Sequence, residues 1–387
     1  MQGAGERAGS STAAIRLVSS IEEFTALRDQ WKVVEACLPG SRAFFSHEWF
    51  DAALRWQGQT AKLNMLCCFL GQQLIAVLPL VLREVKSRGI RVRELSFLTV
   101  PDTQSCDLIV AAADRATASA AFAAELRRRA HEWDVMRLYY LPPASAAATL
   151  GAALESHGFT SRTVTAPGNP FITLDSTWDA YYASRSRRLK KSNNLAANRL
   201  HKAGSVRIDW LAPESHGVAF DSFVDRCVAI SARSWKTRTG NSLDNPGPQA
   251  FIRRLSEVAA RRGWLSVWVL SLNEQPVAME YQLVADGGVY ALRSDFDAEF
   301  DAMSPGGYLS GYLLKELFGK GLQRYYMGPG NNAYKYRWTD EVETVEELTV
   351  YGRSLAGRCI AAWETTLKPM AVKLRNRVRG RASSPEQ

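Results

Sequence analysis

Val289–Trp338 reads VYALRSDFDAEFDAMSPGGYLSGYLLKELFGKGLQRYYMGPGNNAYKYRW, and its punctuation decides the fold class. A strand over Val289–Asp295 runs towards Ser304-Pro305-Gly306-Gly307, where a helix starts and continues to Gly319. Ser304 can cap that helix, Pro305 suits its first turn, and the two glycines let a ligand approach the backbone. The free N–H groups and dipole of such a start make an anion site that suits a pyrophosphate. The chain returns as a strand over Arg324–Met327 and leaves at Gly328-Pro329-Gly330. Cations and aromatics then alternate in Tyr334-Lys335-Tyr336-Arg337-Trp338. Strand, crossover helix and strand imply an α/β unit.

Upstream, strands at Leu265–Leu272, Val277–Ala285 and Val289–Asp295 meet at Asn273-Glu274-Gln275 and Asp286-Gly287-Gly288, both hairpin turns. Before them the spacing predicts a strand at Phe171–Leu174, a helix over Trp178–Ala203 and a strand at Val206–Leu211. Helices at Phe220–Ser234 and Pro248–Arg262 follow, flanking a polar loop from Lys236 to Ser242. The N-terminal half repeats the plan. A helix over Ile21–Val34 and a second after Ser46 lead to apolar runs at Leu63–Leu70 and Leu74–Leu82. Strands at Glu94–Leu98, Asp107–Ala111 and Val135–Tyr140 then interleave with helices over Arg115–Glu132 and Ala144–His157. We expect two like α/β lobes with mixed, mainly antiparallel sheets flanked by helices. The boundary falls at Pro167-Gly168-Asn169-Pro170, giving a tail over 1–14, lobes over 15–165 and 171–350, and a basic amphipathic helix and tail over 351–387.

Composition narrows the partners. Seven Lys/Arg and no acid lie between Ser184 and Lys202, and eight Lys/Arg with one acid, Glu364, lie between Arg353 and Arg381. These segments carry +14 of a net +9, so the remaining body carries −5. Such patches attract phosphates, anionic lipid or nucleic acid. The six cysteines lack CxxC spacing and read as buried free thiols, and the five histidines are scattered, so no metal is expected. The start MQGAGERAGSSTAA has no apolar core of a signal peptide, and Leu63–Leu82 is broken by Gly71-Gln72-Gln73. A cytoplasmic protein is expected, with peripheral contact to the inner face of the membrane through the basic C-terminal stripe of Leu355, Cys359, Ile360, Trp363, Leu367, Met370, Leu374 and Val378.

Taken together, SRSRRLKKSNNLAANRLHKAG (184–204), the strand pair from Gln275 to Asp295, SPGGYL (304–309), YMGPG (326–330) and YKYRW (334–338) resemble the CelD-like branch of the GNAT acyltransferases. FFSHEWF, LPLVL and SCDLIV in the N-terminal half extend the resemblance over about residues 15 to 350. This branch is a distant relative of the Fem-type peptidoglycan aminoacyltransferases. The resemblance implies two tandem GNAT-like lobes, an acyl-CoA donor (acetyl or longer) on the C-terminal lobe, and Ser304, Gly306 and Gly307 as the pyrophosphate-binding turn. SPGG stands where the commoner GNAT turn spaces its glycines after a Gln or Arg.

The chemistry is attack of a neutral amine on a thioester, which needs a proton acceptor, a home for the oxyanion and a donor to the thiolate. Glu280, in the apolar strand VAMEYQLV, and Asp295, at the end of the next strand, are the candidate acceptors. The alternatives are a solvent-facing acid on an edge strand for Glu280 and a turn residue for Asp295. Tyr290 and Tyr334 are candidate proton donors, or core tyrosines. Arg187, Lys191 and Asn194, one face of a helix, and Lys335, Arg337 and Trp338 are candidate substrate- or anion-binding residues. The alternatives are a solvated face for the first set and pairing of Lys335 with Asp340 or Glu341. The acceptor would be a small-molecule or lipid amine of the cell envelope, a sphingoid base of a bacterial ceramide synthase included. Aminoacyl-tRNA-dependent transfer would explain the basic helix, but the long coiled-coil arm of some Fem enzymes is missing, which disfavours tRNA. A non-catalytic scaffold of a polysaccharide synthesis complex is the third reading.

Overall fold

The computed structural model describes residues 13–38, 43–57, 61–87, 89–215, 220–368 and 370. The N-terminal half contains β1 (Ala13–Val18), α1 (Ile21–Ala26), α2 (Arg28–Ala36), α3 (His47–Gln57), β2 (Lys62–Leu63), β3 (Met65–Leu70), β4 (Gln73–Leu78) and β5 (Leu80–Ser87). It continues with β6 (Ile90–Phe97), β7 (Ile109–Val110), α4 (Arg115–Arg128), β8 (Val135–Leu141) and α5 (Ala146–Ser156). The C-terminal half contains β9 (Thr160–Thr173), α6 (Trp178–Ser184), α7 (Arg187–Ala203), β10 (Val206–Leu211), α8 (Asp221–Ser231), α9 (Pro246–Arg262) and β11 (Leu265–Leu272). It ends with β12 (Gln275–Ala285), β13 (Gly288–Phe296), α10 (Pro305–Leu317), β14 (Arg324–Tyr326), β15 (Val342–Tyr351) and α11 (Leu355–Ala362).

Local chemistry explains most of these starts and stops. Ser46 Oγ accepts from Trp49 N at 3.1 Å and opens α3. Ser20 and Glu23 form a reciprocal cap on α1. The expected helix over Ile21–Val34 is two helices, broken at Leu27, and the one over Trp178–Ala203 restarts at Ser186, whose hydroxyl caps α7. Pro79, which has no N–H for a ladder, splits the apolar run Leu74–Leu82 into β4 and β5.

The strands form a four-stranded sheet, β1-β3-β4-β7, and an eleven-stranded one, β10-β11-β12-β13-β14-β9-β15-β8-β6-β5-β2. Among the described residues only β6–β8 and β13–β14 pair in parallel. The stretch Pro167–Pro170 lies inside β9. Residues 160–170 of that strand pair with β15 and residues 171–173 with β14, so one strand passes from one lobe's sheet into the other's. β15 in turn pairs with β8. Of β9 only the end was read, within the expected strand Phe171–Leu174, and β15 was missed, because neither TSRTVTAPGN (160–169) nor VETVEELTVY (342–351) carries an apolar run.

One core packs α10 and α7 against β11–β14, another packs α4 and α5 against the N-terminal strands, and a third lies between the lobes. In the last, Trp49 on α3 meets Phe251 on α9 edge-on at 5.5 Å. The C-terminal helix docks: Ile360 is buried against Val92, Val135 and Tyr351, and Glu364 pairs with Arg137 at 2.6 Å. The expected single apolar stripe is therefore divided. Ile360 faces the sheet, Leu355, Cys359, Leu367 and Met370 are exposed, and Leu374 and Val378 lie outside the described residues. Cys37 is exposed as well, against the expectation of wholly buried thiols. No helix among the described residues is long and apolar enough to cross a membrane.

Candidate active site

The central feature is a parting of two strands. β13 and β14 pair only over Gly288–Tyr290 and Arg324–Tyr326. Against β12, the register of β13 slips between Tyr281 and Gln282 and leaves Leu292 as an extra residue, a bulge that bends the strand. Past β14 the chain follows β9 instead: Met327 N donates to Pro170 O at 2.9 Å and Gly330 N to Gly168 O at 3.1 Å. Gly328, at φ +81°, makes that departure in a conformation side chains rarely tolerate.

Three polar side chains fill the fork of this gap. Gln104, from the loop after β6, donates from Nε2 to the freed carbonyl of Ala291 at 2.8 Å and accepts from Asn169 Nδ2 at 3.2 Å. Lys335 is buried and donates to the carbonyls of Gly328 at 2.7 Å and Pro329 at 3.2 Å. It does not pair with Asp340 or Glu341, because its chain points inward. Burial pushes its ammonium down to about 8.

At the other end of β13 stands the start of α10. Ser304 adopts the left-handed region (φ 55°, ψ 51°) and its side chain makes no capping bond, contrary to its expected role. The first-turn N–H groups of Gly306 and Gly307 have no partner within the helix. A Cβ on Gly307 would meet nothing within 4 Å, whereas one on Gly306 would touch the Phe296 ring at 3.2 Å. Gly307 is exposed and Gly306 half-buried, so the turn leaves open space at Gly307.

The two candidate acids lie on opposite faces of the sheet. Glu280 is buried on a central strand, not an edge. Its Oε1 accepts from Tyr325 Oη at 2.5 Å and Gln282 Nε2 at 2.6 Å, and Oε2 from Ser294 Oγ at 2.9 Å. Burial raises its pKa above the usual carboxylate range, and the three neutral donors only partly counter this. Asp295 is also buried within the strand rather than in a turn. It accepts from Ser231 Oγ at 2.7 Å and is ion-paired with Lys236. Beside it Arg293 is clamped by Asp102 of the N-terminal lobe at 2.9 Å and by the carbonyl of Asn241 at 2.7 Å.

Tyr290 is a packing residue at the last paired rung, stacked on Tyr326 at 5.0 Å and edge-on to Phe44 at 5.2 Å. Tyr334 is 43% exposed, and burial of its hydroxyl, then the charges of Glu280 and Asp295, push it up to about 12. Trp338 is buried near Gly311 of α10, and its carbonyl accepts from Tyr181 and Arg185 at 2.6 Å each. Arg337 is exposed. Arg187, Lys191 and Asn194 are exposed on α7 but do not reach the turn. α7 runs antiparallel to α10, with His201 near Tyr308 at 3.3 Å and Arg199 donating to Ala302 O at 2.7 Å. At 1.5 Å per residue, Arg187 stands about 18 Å further along.

Sequence reasoning missed Gln104, Asn169, Lys236, Arg293 and Asp102. The polar run Asp102-Thr103-Gln104 amid apolar neighbours was the one available sign, and all three are buried. The parallel pair of the N-terminal lobe is β6–β8, which also spans three rungs. There β6 pairs in parallel with β8 through Ser96↔Arg137, and Cys106 N donates to Tyr140 O at 2.9 Å. Among the described residues no three His, Cys, Asp or Glu side chains gather as a metal site.

Residues 185–336 match the family model described as an acetyltransferase (GNAT) domain. This segment is similar to a GNAT domain. Within it lie the basic helix, Glu280, the turn and Lys335, while Gln104 and Asn169 fall outside. No curated protein matches the chain. Among solved structures, the C-terminal DUF2156 domain of a putative lysylphosphatidylglycerol synthetase from Agrobacterium fabrum aligns at 12% identity. The alignment covers 89% of this chain and 96% of that one, with a TM-score of 0.52. FemX aligns at 11% identity over 87% and 98%, also at 0.52. A tandem GNAT protein from the clavulanic acid biosynthesis pathway aligns at 12% identity over 87% and 98%, with a TM-score of 0.49. At these identities the likeness concerns the fold alone, here mixed α/β with helices flanking the sheets.

Proposed function

We propose that the chain is an acyl-CoA-dependent N-acyltransferase whose donor lies between β13 and β14, with its pyrophosphate on the uncapped start of α10. The parting of those strands, with the uncapped start of α10 and the exposed Gly307 at the far end of β13, is the observation that carries this reading. The amine nitrogen attacks the thioester carbonyl carbon, the C–N bond forms and the C–S bond breaks. Glu280 takes the proton the amine loses. It is the better base of the two acids because its partners are neutral, whereas Asp295 spends its charge on Lys236. Lys335 supplies positive charge at the gap, and the exposed Tyr334 protonates the leaving thiolate.

The acceptor we favour is an amine of a cell-envelope precursor, an amino sugar or a lipid base. The exposed Leu355, Leu367 and Met370, next to the cations of the C-terminal segment, support work at an anionic membrane surface. Thiol release from acetyl-CoA and palmitoyl-CoA with a panel of sugar and lipid amines tests this directly. Amine-dependent release supports it, whereas thioester binding without release under any amine points to a scaffold. The exposed, acid-free face of Arg187, Arg188 and Lys191 on α7 favours a second reading, a Fem-like aminoacyl-tRNA donor. Copurifying RNase-sensitive material and transfer from aminoacyl-tRNA would establish it instead.

A further inference from the structure

The N-terminal lobe, which lies outside the matched GNAT domain, places one side chain in the proposed donor gap. Gln104 is 4% exposed and both ends of its amide are engaged, Nε2 with Ala291 O at 2.8 Å and Oε1 with Asn169 Nδ2 at 3.2 Å. Its Nε2 stands 3.6 Å from where a Cβ on Gly328 would be, and Lys335 Nζ stands 3.8 Å from the same point. Ala291 is the first β13 residue past the last paired rung, and Gly328 follows β14 on the other side. Gln104 therefore bridges the fork where the strands part. It replaces the hydrogen bond that β14 would have given β13, and it closes the gap with its own bulk.

We propose that Gln104 is a specificity-determining residue that limits the acyl chain to a short one. This rests on the reading of the gap as the thioester site. An acyl group threaded between β13 and β14 meets the Gln104–Asn169 pair. A longer chain would have to displace a buried amide from two hydrogen bonds and leave the Ala291 carbonyl bare, which is costly in a dry site. The same loop is fixed by the Asp102–Arg293 ion pair at 2.9 Å, so it cannot move aside without breaking a buried charge pair. The short limit is thus set by one lobe on the donor of the other.

Calorimetric affinities of the full chain for acetyl-, butyryl-, octanoyl- and palmitoyl-CoA test the idea without knowledge of the acceptor. The parent should bind acetyl- and butyryl-CoA and weaken at octanoyl-CoA. Gln104→Ala should improve the octanoyl-to-acetyl affinity ratio at least about tenfold, the usual scale for added methylenes in a pocket. Gln104→Asn, which keeps the amide and removes one methylene, should shift the ratio part of the way and guards against a poorly folded alanine variant. Parent protein that binds palmitoyl-CoA as tightly as acetyl-CoA overturns the limit, as does loss of affinity in Gln104→Ala by one factor at every length. If no thioester binds the parent, the donor reading itself falls and takes the limit with it.

Discussion

Glu280 and Lys335 carry opposite electrostatic histories into one site. Burial raises the Glu280 carboxyl, so the acid limb of the pH–rate profile should lie above the usual carboxylate range. Glu280→Gln should abolish that limb and cut turnover on the order of 10²–10⁴-fold while leaving donor affinity nearly unchanged. Turnover equal to the parent across pH 6 to 9 would remove Glu280 from the chemistry. For Lys335 the sign is that of a buried base. Its folded pKa is about 8 against about 10.4 for an unfolded lysine. Between those values the unfolded chain binds more protons, so the lysine's contribution to stability rises with pH through that window. Thermal midpoints of the parent relative to Lys335→Met should therefore climb from pH 8 to 10, and a flat difference would show that the lysine is not desolvated.

At the scale of elements, the strand–turn–helix–strand of residues 289–327 was legible because each boundary has its own chemistry: a hairpin glycine pair, Pro305 at a first helical position, and a glycine exit. β15 and the part of β9 before Phe171 were not legible, since a strand whose ladder is satisfied by distant partners needs no apolar run, and the Pro167–Pro170 breaker hides inside β9. The site shows the same division. Glu280 stood out as an acid in an apolar strand. Gln104 and Asp102 act across more than 180 residues of sequence, where spacing carries no information. That separation gives a stability test. Asp102→Ala leaves Arg293 buried without its carboxylate and should cost about 3–5 kcal/mol, read as a lower urea midpoint. Adding Arg293→Met should recover much of it, since the buried charge is then gone as well. Additive losses would mean the two residues do not act as a pair.

For the whole molecule, two like lobes have diverged in use. The N-terminal lobe contributes Gln104 and Asp102 to its neighbour and seats the C-terminal helix through Arg137 and Glu364. That seating changes what truncation should do. Removing residues 353–387 takes away Glu364 and the buried Ile360, and should lower the melting temperature on the order of 5 °C. Removing only residues 369–387 should preserve the fold while abolishing sedimentation with anionic liposomes at low salt. Equal sedimentation of that shorter form and the parent would defeat the membrane contact. The most direct measurement of all is a crystal structure with a non-hydrolysable acetyl-CoA analogue. Its pyrophosphate should lie on the amides of Gly306 and Gly307, with the acyl carbonyl between β13 and β14 and its methyl against Gln104. A donor lodged elsewhere, or a gap between β13 and β14 left empty at saturating ligand, would contradict the account.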